Sequence, residues 1–287
     1  SAESCDVSLR TLTKVRPGHA DLTGLLKFGQ TDARNVLERA SARETAVRVC
    51  AGSIAKQYLL QLGVQVGGYV KSVCGVEDGG EYSFSELAAA KSRPLFMLDG
   101  GAEERAMRLI DELKAAGDTA GGVVEVRVHG LKSGFGSCMT YGEKLDARLA
   151  GAVMGVQAIK GVEIGLGFGA AALPGSRVHD EIFSEGGRFV RHTNNAGGIE
   201  GGMSNGEDII IRAAMKPIPT LMRGLNTVDF VTGEKCRAAG ERSDVAAICA
   251  CEIIVESVVA FTIAQVVSER LGGDNMAQVK SRYSELY

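Results

Sequence analysis

Apolar residues recur at helical spacing in four segments of the chain. The first runs from about Ser41 to Leu62, where Ser41 and Glu44 have the spacing of a capping box that bonds free N–H groups of the first turn. Gly63 is the expected end of this helix. Its apolar positions, which predict its buried face, are Val47, Cys50, Ile54, Tyr58 and Leu62. The other helices are predicted at 103–117, at 143–161 and from about Ser243 or Asp244 to 271.

The last of these helices is long and apolar enough to raise the question of a membrane span. Glu252, Glu256 and Gln265 interrupt it, and carboxylates at the centre of a bilayer are costly. We therefore expect a helix in the centre of a soluble fold. The first and last helices, 41–62 and 244–271, are both expected to be largely buried and close to one another.

Strands are predicted where apolar and β-branched residues alternate, at 64–73, 121–130, 162–168 and 209–215. Helices and strands follow no strict βαβ order, which favours an α+β fold over a doubly wound sheet. The chain has no low-complexity linker and no short-period repeat, so one domain is expected over residues 1–287.

Composition narrows the function classes. Glycine is enriched, with 38 of 287 residues, or about 13% against a usual level of about 7%. The net charge is −3, aromatic residues make up 5% and tryptophan is absent, which disfavours a nucleic-acid-binding protein. The seven cysteines form no CxxC pair, so neither a zinc ribbon nor a disulfide scaffold is expected. Because most of them lie in apolar stretches, they are predicted to be buried free thiols.

The stretch 197–220, GGIEGGMSNGEDIIIRAAMKPIPT, combines two glycine pairs with an alternating strand and two prolines. Two interpretations stay open: a pair of hairpin turns, or a loop whose bare N–H groups line a planar or phosphate-bearing ligand. A dinucleotide fingerprint is excluded, because the spacing differs and no predicted helix follows the glycines.

Of the four histidines, His19 is the best candidate for an acid or base. It follows Pro17 and Gly18 in RPGHAD and stands between Arg16 and Asp21. A purely structural role for this histidine is equally compatible with the pattern. His129, in a predicted strand, is expected to be structural. The HDE sequence at 179–181 lacks the spacing of a helical metal motif, so no metal site is expected.

Basic residues stand near the predicted starts of the first and last helices. Arg39 and Arg43 flank the first start, and Arg242 lies at the last. A helix N-terminus attracts anions, and arginine pairs with phosphate or carboxylate. This pattern indicates a site for more than one anionic group. Asp244 is also explained as a helix cap.

Five motifs, RPGHAD, RASARETAVRVCAGSIAK, QAIKGVEIG, GGIEGGMSNGEDIIIRAAMKPIPT and ERSDV, occur in an order and spacing that resembles the chorismate synthases. The resemblance runs from Arg16 to about Gly273. It implies a β-α-α-β sandwich, with central helices between mostly antiparallel sheets, assembled as a homotetramer. The activity it implies is that of a cytoplasmic lyase of the shikimate pathway, in aromatic amino acid biosynthesis, without nucleic-acid or membrane partners.

The implied reaction converts 5-enolpyruvylshikimate-3-phosphate into chorismate by 1,4-elimination of phosphate, with reduced FMN as cofactor. Carried over by motif, the catalytic residues are His19 and Asp244, and the substrate-binding residues are Arg16, Arg43 and Arg242. The flavin contacts carried over in the same way are Arg39, Ala40, Ser41, Gln157, Ala158, Gly201, Lys216, Pro217, Ile218, Pro219, Thr220 and Arg242.

One part of the family pattern is missing from this sequence. The family has a segment with a GESHG-like motif and a further arginine-rich stretch ahead of RPGHAD, and neither occurs here. The resemblance therefore implies a domain that is incomplete at its N-terminus and a chain with little activity of its own. The alternatives are an inactive flavin- or anion-binding scaffold of the same fold and an unrelated FMN oxidoreductase.

Overall fold

The structure is a computed structural model that describes residues 11–238 and 244–286. Cys5, which is one of the seven cysteines, lies outside the described residues, as do Arg242 and Ser243. The chain divides into two compact units. Unit 1 comprises Ser1–Glu44, Met107–Gly121 and Pro217–Ala247. Unit 2 comprises Thr45–Ala106, Gly122–Lys216 and Ile248–Tyr287.

The helices are α1 (Asp21–Phe28), α2 (Arg34–Ala40), α3 (Thr45–Leu60), α4 (Gly100–Ala115), α5 (Leu145–Met154), α6 (Ile248–Leu271) and α7 (Met276–Ser284). The strands are β1 (Gln65–Val73), β2 (Val76–Glu77), β3 (Gly122–His129), β4 (Ile159–Ile164), β5 (Ile182–Glu185), β6 (Arg188–Arg191), β7 (Ile199–Glu200), β8 (Met203–Ser204), β9 (Ile209–Met215), β10 (Asn226–Val228) and β11 (Lys235–Arg237).

Unit 1 contains two short helices, α1 and α2, that the sequence analysis missed. Each has seven or eight residues, too few for a helical period to stand out. They pack around a small apolar cluster made of Leu12, Val15, Leu25, Ala33 and Leu37. The hairpin β10–β11 belongs to the same unit, and Phe230, just after β10, packs on this cluster.

Unit 2 is built on one antiparallel sheet with the strand order β2-β1-β3-β9-β4. The strands predicted at 64–73, 121–130 and 209–215 are confirmed to within one residue at each end. Alternate residues of β3 and β9 are fully buried, and Val126 lies opposite Ile211. The fourth strand, β4, begins at Ile159, so the helix predicted at 143–161 ends early, at Met154. The α+β class is confirmed.

Helix α6 is the central helix of unit 2. It packs on β1 and β3 and also contacts α3 and α5. Its length and hydropathy would suit a membrane span, but 67% of the most apolar window is buried inside the protein. This confirms the prediction of a core helix. Its first residue is Ile248, four residues after Asp244, so the proposed cap at Asp244 is wrong.

Helix α3 begins later than predicted. The expected start at Ser41 is wrong, because residues 34–40 form their own helix and Ser41 is its C-cap, with its N–H donating to Leu37 O at 2.8 Å. A 3₁₀ turn, Ala42–Glu44, then leads into α3 at Thr45. A capping box does occur in the chain, at Ser83 and Glu86.

The predicted buried face of α3 is also wrong. Val47 and Ile54 are each 71% exposed, whereas Gly52, Ala55 and Leu59 are buried. The small residue Gly52 decides the contact, because a Cβ placed there would lie 2.4 Å from Ser257 Cβ on α6. The two helices are therefore neighbours, as predicted, but α3 is only partly buried.

The prediction of buried thiols fails for most cysteines. The six cysteines in the described residues are free, but only Cys251 is buried. Cys50, Cys74 and Cys138 are exposed. Apolar neighbours in sequence do not bury a residue when it lies on the outer face of its helix, as Cys50 does on α3.

The charges that interrupt α6 form a buried ionic cluster with two lysines. Glu252 is fully buried and Glu256 is 5% exposed. Lys56 pairs with Glu256, and Lys91 pairs with Glu252 and lies 3.0 Å from Glu256 Oε2. Burial raises the pKa of Glu252, and the Lys91 ammonium opposes that rise. The cluster allows two carboxylates to lie inside an otherwise apolar helix.

The close approach of α3 and α6 gives a first prediction. Gly52→Ala should lower the free energy of unfolding by roughly 1–3 kcal/mol, because the added methyl group overlaps the backbone of α6. Gly151→Ala in α5 is the matched control, since no atom lies within 4 Å of its added Cβ. It should stabilise by up to about 1 kcal/mol, the gain in helix propensity. Urea unfolding that gave both variants the same stability would contradict this packing.

The ionic cluster gives a second prediction. Lys91→Met should lower the free energy of unfolding by about 3 kcal/mol, because it leaves the buried Glu252 carboxylate without its ammonium partner. The raised pKa of Glu252 fixes the sign of the pH dependence. A group whose pKa is raised by folding contributes stability that is lost as the pH rises. The loss of stability caused by Lys91→Met should therefore be larger at about pH 8 than at about pH 5.

Two further variants control this measurement. Adding Glu252→Gln to Lys91→Met should recover much of the loss, since no buried charge then remains at that position. Lys280→Met, at an exposed lysine that bonds Gln61, should have little effect. A Lys91→Met deficit that did not change with pH would show that the lysine acts through packing alone.

Candidate functional site

The RPGHAD motif forms a tight loop in unit 1 that leads into α1. The His19 N–H donates to Arg16 O at 3.3 Å, which closes the loop, and Asp21 is the first residue of the helix. Thr227 Oγ1 donates to Val15 O at 2.6 Å and fixes the chain just before the loop. The backbone therefore brings the side chains of Arg16, His19 and Asp21 together.

These three side chains form a hydrogen-bonded cluster. Arg16 Nε donates to Asp21 Oδ2 at 2.8 Å and Nη2 donates to Oδ1 at 3.0 Å, and the Arg16 backbone N–H adds a third bond, to Oδ2, at 3.1 Å. His19 Nδ1 lies 2.5 Å from Asp21 Oδ1. Asp21 is fully buried, Arg16 is 6% exposed and the His19 side chain is 16% exposed.

The cluster keeps Asp21 ionised inside the protein. Burial alone would raise the pKa of this carboxyl group, but its hydrogen bonds with His19 and Arg16 outweigh burial and hold the pKa far below its usual value. The Asp21 carboxylate is therefore a fixed negative charge beside the His19 ring.

Arg16 connects this loop to the KPIPT sequence, residues 216–220. Its Nη1 donates to Thr220 Oγ1 at 3.1 Å, and Thr220 is 7% exposed. Ile218 O accepts a bond from Thr119 Oγ1 at 2.7 Å, which anchors the segment between the two prolines, Pro217 and Pro219. The structure therefore brings RPGHAD and the end of KPIPT together, although about 200 residues separate them in sequence.

The RAS sequence, residues 39–41, lies at the end of α2. Arg39 is in the last turn of α2, where a cation complements the helix dipole, and not at the start of α3 as expected. Its side chain is 83% exposed, and Nη1 lies 3.4 Å from Glu44 Oε2. Arg43 is exposed in the 3₁₀ turn that precedes α3. Asp244 is exposed as well.

Unit 2 holds the remaining predicted flavin contacts. Ala158, which follows Gln157, has φ +68°, a left-handed conformation that costs a non-glycine residue free energy and that concentrates at functional sites. Its carbonyl accepts a bond from the Lys216 N–H at 3.0 Å. The QAIKG motif and the first residue of KPIPT are therefore adjacent in this unit.

A second lysine accompanies Lys216. Lys216 is partly buried, which lowers the pKa of its ammonium group, and the charge of Lys160 lowers it further. Two ammonium groups that repel each other in this way create a positive region in which a phosphate would be stabilised.

The glycine pairs of 197–206 are chiefly turns. Gly197 packs so closely on Gly165 that an added Cβ would lie 2.3 Å from the Gly165 backbone nitrogen. Gly201 and Gly202 have φ +59° and +83° and form the tight turn between β7 and β8. An added Cβ on Gly201 would meet only the tip of Met203, at 3.8 Å, so this backbone is open to a ligand. The interpretation as turns is confirmed at Gly201 and Gly202, and the interpretation as a ligand-lining loop stays a prediction.

The other histidines make local contacts. His129 Nδ1 lies 2.7 Å from Asp208 Oδ1, and its ring stacks on Phe84 with a centroid distance of 4.9 Å. His192 pairs with Glu185 at 3.3 Å. Within residues 11–238 and 244–286, no group of three or more histidine, cysteine, aspartate or glutamate side chains is arranged to hold a metal ion.

No functional role was predicted for Asp21 or Lys160, although both lie inside the motifs RPGHAD and QAIKGVEIG. Asp21 follows His19 by two residues, and Lys160 follows Ala158 by two. An Asp two positions from a candidate histidine was the available signal for the first, and a lysine within QAIKG was the signal for the second.

Comparison with known proteins agrees with these motifs. The family model described as chorismate synthase matches residues 5–267. The chorismate synthase of Pelobacter propionicus is 52% identical over 285 residues, which cover 96% of this chain and 72% of that protein. The chorismate synthase of Geobacter sulfurreducens is 52% identical over 284 residues, with coverages of 95% and 72%.

A solved structure agrees in fold. The chain is similar to a protein titled "Crystal Structure of Chorismate Synthase", with a TM-score of 0.79 and 39% identity, over 93% of this chain and 75% of that one. The match of the family model over most of the chain and the identity to several enzymes of one name lead to a single conclusion: this chain belongs to the chorismate synthase family.

Proposed function

We propose that this protein is a lyase that forms chorismate from 5-enolpyruvylshikimate-3-phosphate by 1,4-elimination of phosphate, with reduced FMN. The observation that carries the proposal is the His19 cluster. A histidine in a family motif is held by a buried carboxylate, and that carboxylate is held by an arginine that also bonds Thr220. A general acid or base requires such a fixed, partly accessible ring.

The described residues fit the flavin that the family implies. When bound, reduced FMN supplies electron density to a reaction with no net redox change. In unit 2, Lys216 and Lys160 provide positive charge suited to its phosphate, and the open backbone at Gly201 allows close approach of a flat ring. The contacts of Gln157 and Ala158 in unit 2, and those of Arg39, Ala40, Ser41 and the 217–220 segment in unit 1, stay predictions.

The remaining roles concern the proton and the anionic groups of the substrate. His19 holds or releases the proton that the elimination requires, and Asp244 is the second proposed proton-handling group. Arg43, exposed ahead of α3, is proposed to pair with a substrate anion, and Arg242 is assigned the same role by its motif. The substrate carries two carboxylates and one phosphate, which is why several basic residues are assigned to bind it.

We also propose that the protein works in the cytoplasm as a homotetramer, without nucleic-acid or membrane partners. The support for assembly is exposed apolar surface in unit 2. The hairpin β5–β6 is a two-stranded sheet whose residues include Phe189, 83% exposed, and Ile182, 59% exposed. Isolated hairpins are marginal in water, and such surface is typical of interfaces. Light scattering on the purified protein would measure the assembly.

The direct test of the activity is an anaerobic assay. The protein expressed from its complete coding sequence, supplied with reduced FMN and 5-enolpyruvylshikimate-3-phosphate, should release chorismate and phosphate in equal amounts. Without reduced FMN it should release neither. Flavin binding with no product formation would favour the inactive scaffold instead.

A third prediction concerns the flavin phosphate. Lys216→Ala should weaken FMN binding roughly ten- to a hundredfold, the usual effect of losing a hydrogen bond between charged groups. It should leave the affinity for riboflavin, which has no phosphate, unchanged. Lys235→Ala, at an exposed lysine of β11, is the control. An equal loss for both flavins, measured by flavin absorbance, would assign Lys216 to the ring and not to the phosphate.

A fourth prediction concerns His19. His19→Ala should lower turnover by roughly 10²–10⁴-fold, the usual range for a lost acid or base, with FMN affinity mostly intact. His192→Ala is the matched control, because His192 is 58% exposed and pairs only locally with Glu185. Equal turnover of the two variants under anaerobic conditions would remove His19 from the reaction.

A further inference from the structure

We propose that Asp21 is a positioning residue, which fixes the His19 ring so that Nε2 is the atom that exchanges a proton, and that Arg16 holds the Asp21 carboxylate in place. The inference rests on the proposed acid–base role of His19. It adds a residue outside the motif roles described above and names the ring nitrogen that acts.

The Asp21 carboxylate is held by several hydrogen bonds. It is fully buried and lies within hydrogen-bond distance of four nitrogens, three from Arg16 and one from His19. The guanidinium donates to both carboxylate oxygens, from Nε to Oδ2 and from Nη2 to Oδ1. This bidentate geometry is that of the strongest arginine–carboxylate pairs. Asp21 is therefore ionised, and an ionised carboxylate can only accept hydrogen bonds.

The hydrogen in the contact between His19 and Asp21 lies on the histidine. His19 Nδ1 and Asp21 Oδ1 are 2.5 Å apart. Since the carboxylate has no hydrogen to give, the hydrogen between the two atoms belongs to Nδ1. A bare nitrogen lone pair at that distance from a carboxylate oxygen would be repelled. Neutral His19 therefore carries its hydrogen on Nδ1, and Nε2 holds the free lone pair.

Arg16 also lies close to the His19 ring. Arg16 Nη2 lies 3.2 Å from His19 Nδ1 as well as 3.0 Å from Asp21 Oδ1. Because Nδ1 already carries hydrogen, it cannot accept from Nη2, and Nη2 donates to Asp21. Nη1 donates to Thr220. Nε, Nη1 and Nη2 thus each donate one bond, to Asp21 or Thr220, and the Arg16 side chain is 6% exposed, so Arg16 holds the Asp21 carboxylate in place.

A structural role for Asp21 makes a different prediction. Asp21 also accepts from the Arg16 backbone N–H and begins α1, so its replacement could loosen the loop. Loosening alone would alter stability and substrate binding together. It would not move a hydrogen from one nitrogen of the His19 ring to the other.

The test uses Asp21→Asn, which keeps the shape of the side chain. Its oxygen can still accept from Arg16, and its amide then offers a donor to Nδ1, which favours the ring with hydrogen on Nε2. Nitrogen NMR of protein with ¹⁵N-labelled histidine reports the site of the hydrogen, and His19→Ala identifies the His19 signals. We expect hydrogen on Nδ1 in the native protein and on Nε2 in Asp21→Asn.

Turnover is measured on the same proteins. Asp21→Asn should lower kcat by roughly 10²–10⁴-fold, as for loss of the acid or base, with KM changed by less than about threefold. Asp21→Glu should recover part of kcat, since it restores a carboxylate. Asp208→Asn is the matched control, because Asp208 pairs with His129 Nδ1 at 2.7 Å and has no assigned role.

The outcomes separate this inference from the proposed function. Hydrogen on Nε2 and not on Nδ1 of His19 in the native protein would overturn the positioning role without any variant. A shifted hydrogen in Asp21→Asn with unchanged kcat would overturn it too. Native turnover in His19→Ala would instead refute the acid–base role of His19, whereas absence of chorismate formation by the native protein would refute the proposed function itself.

Discussion

A carboxylate inside a protein needs a charged or hydrogen-bonding partner, and three buried carboxylates of this structure have one. Asp21 in unit 1 takes its bonds from Arg16 and His19. In unit 2, Asp78 is fully buried and accepts from two backbone N–H groups, Leu98 and Asp99, at 2.8 Å each. Glu252 draws Lys91 to the central helix. Asp78 and Glu252 join segments that are distant in sequence, whereas Asp21 holds together the loop in which it lies. In each case, loss of the partner would leave a buried charge.

The periodic elements could be predicted from sequence because their signal is local. The strands β1, β3 and β9 and the helix α6 show their periods over seven or more residues, and each was found. The buried face of α3 could not be found in this way. Its apolar stripe gave the period correctly, yet the face that packs is the one carrying Gly52. Contact between two backbones selects small residues, and a hydrophobic pattern does not record where a neighbouring helix will approach.

The site shows the same division. Motif residues such as His19 and Lys216 were identified because their chemical types stand out in short, unusual sequences. The function of a side chain depends on what it already bonds, and that is a tertiary property. Arg16 was assigned to the substrate by the family motif, and in the structure it donates to Asp21 and Thr220. Asp21 was named only as a charged neighbour of His19, because the short helix α1 that begins at Asp21 was not predicted.

The difference between Arg16 and Arg43 points to a general criterion for reading such sites. A buried side chain that bonds protein groups holds the structure, since turning it to a ligand would break those bonds and leave its partners buried without them. A group in the same motifs that keeps solvent access can still meet a ligand. His19 meets both conditions at once: Nδ1 is committed to Asp21, while the ring keeps 16% of its surface exposed. That asymmetry within one imidazole is what an acid–base residue needs, because one nitrogen fixes the ring and the other exchanges the proton.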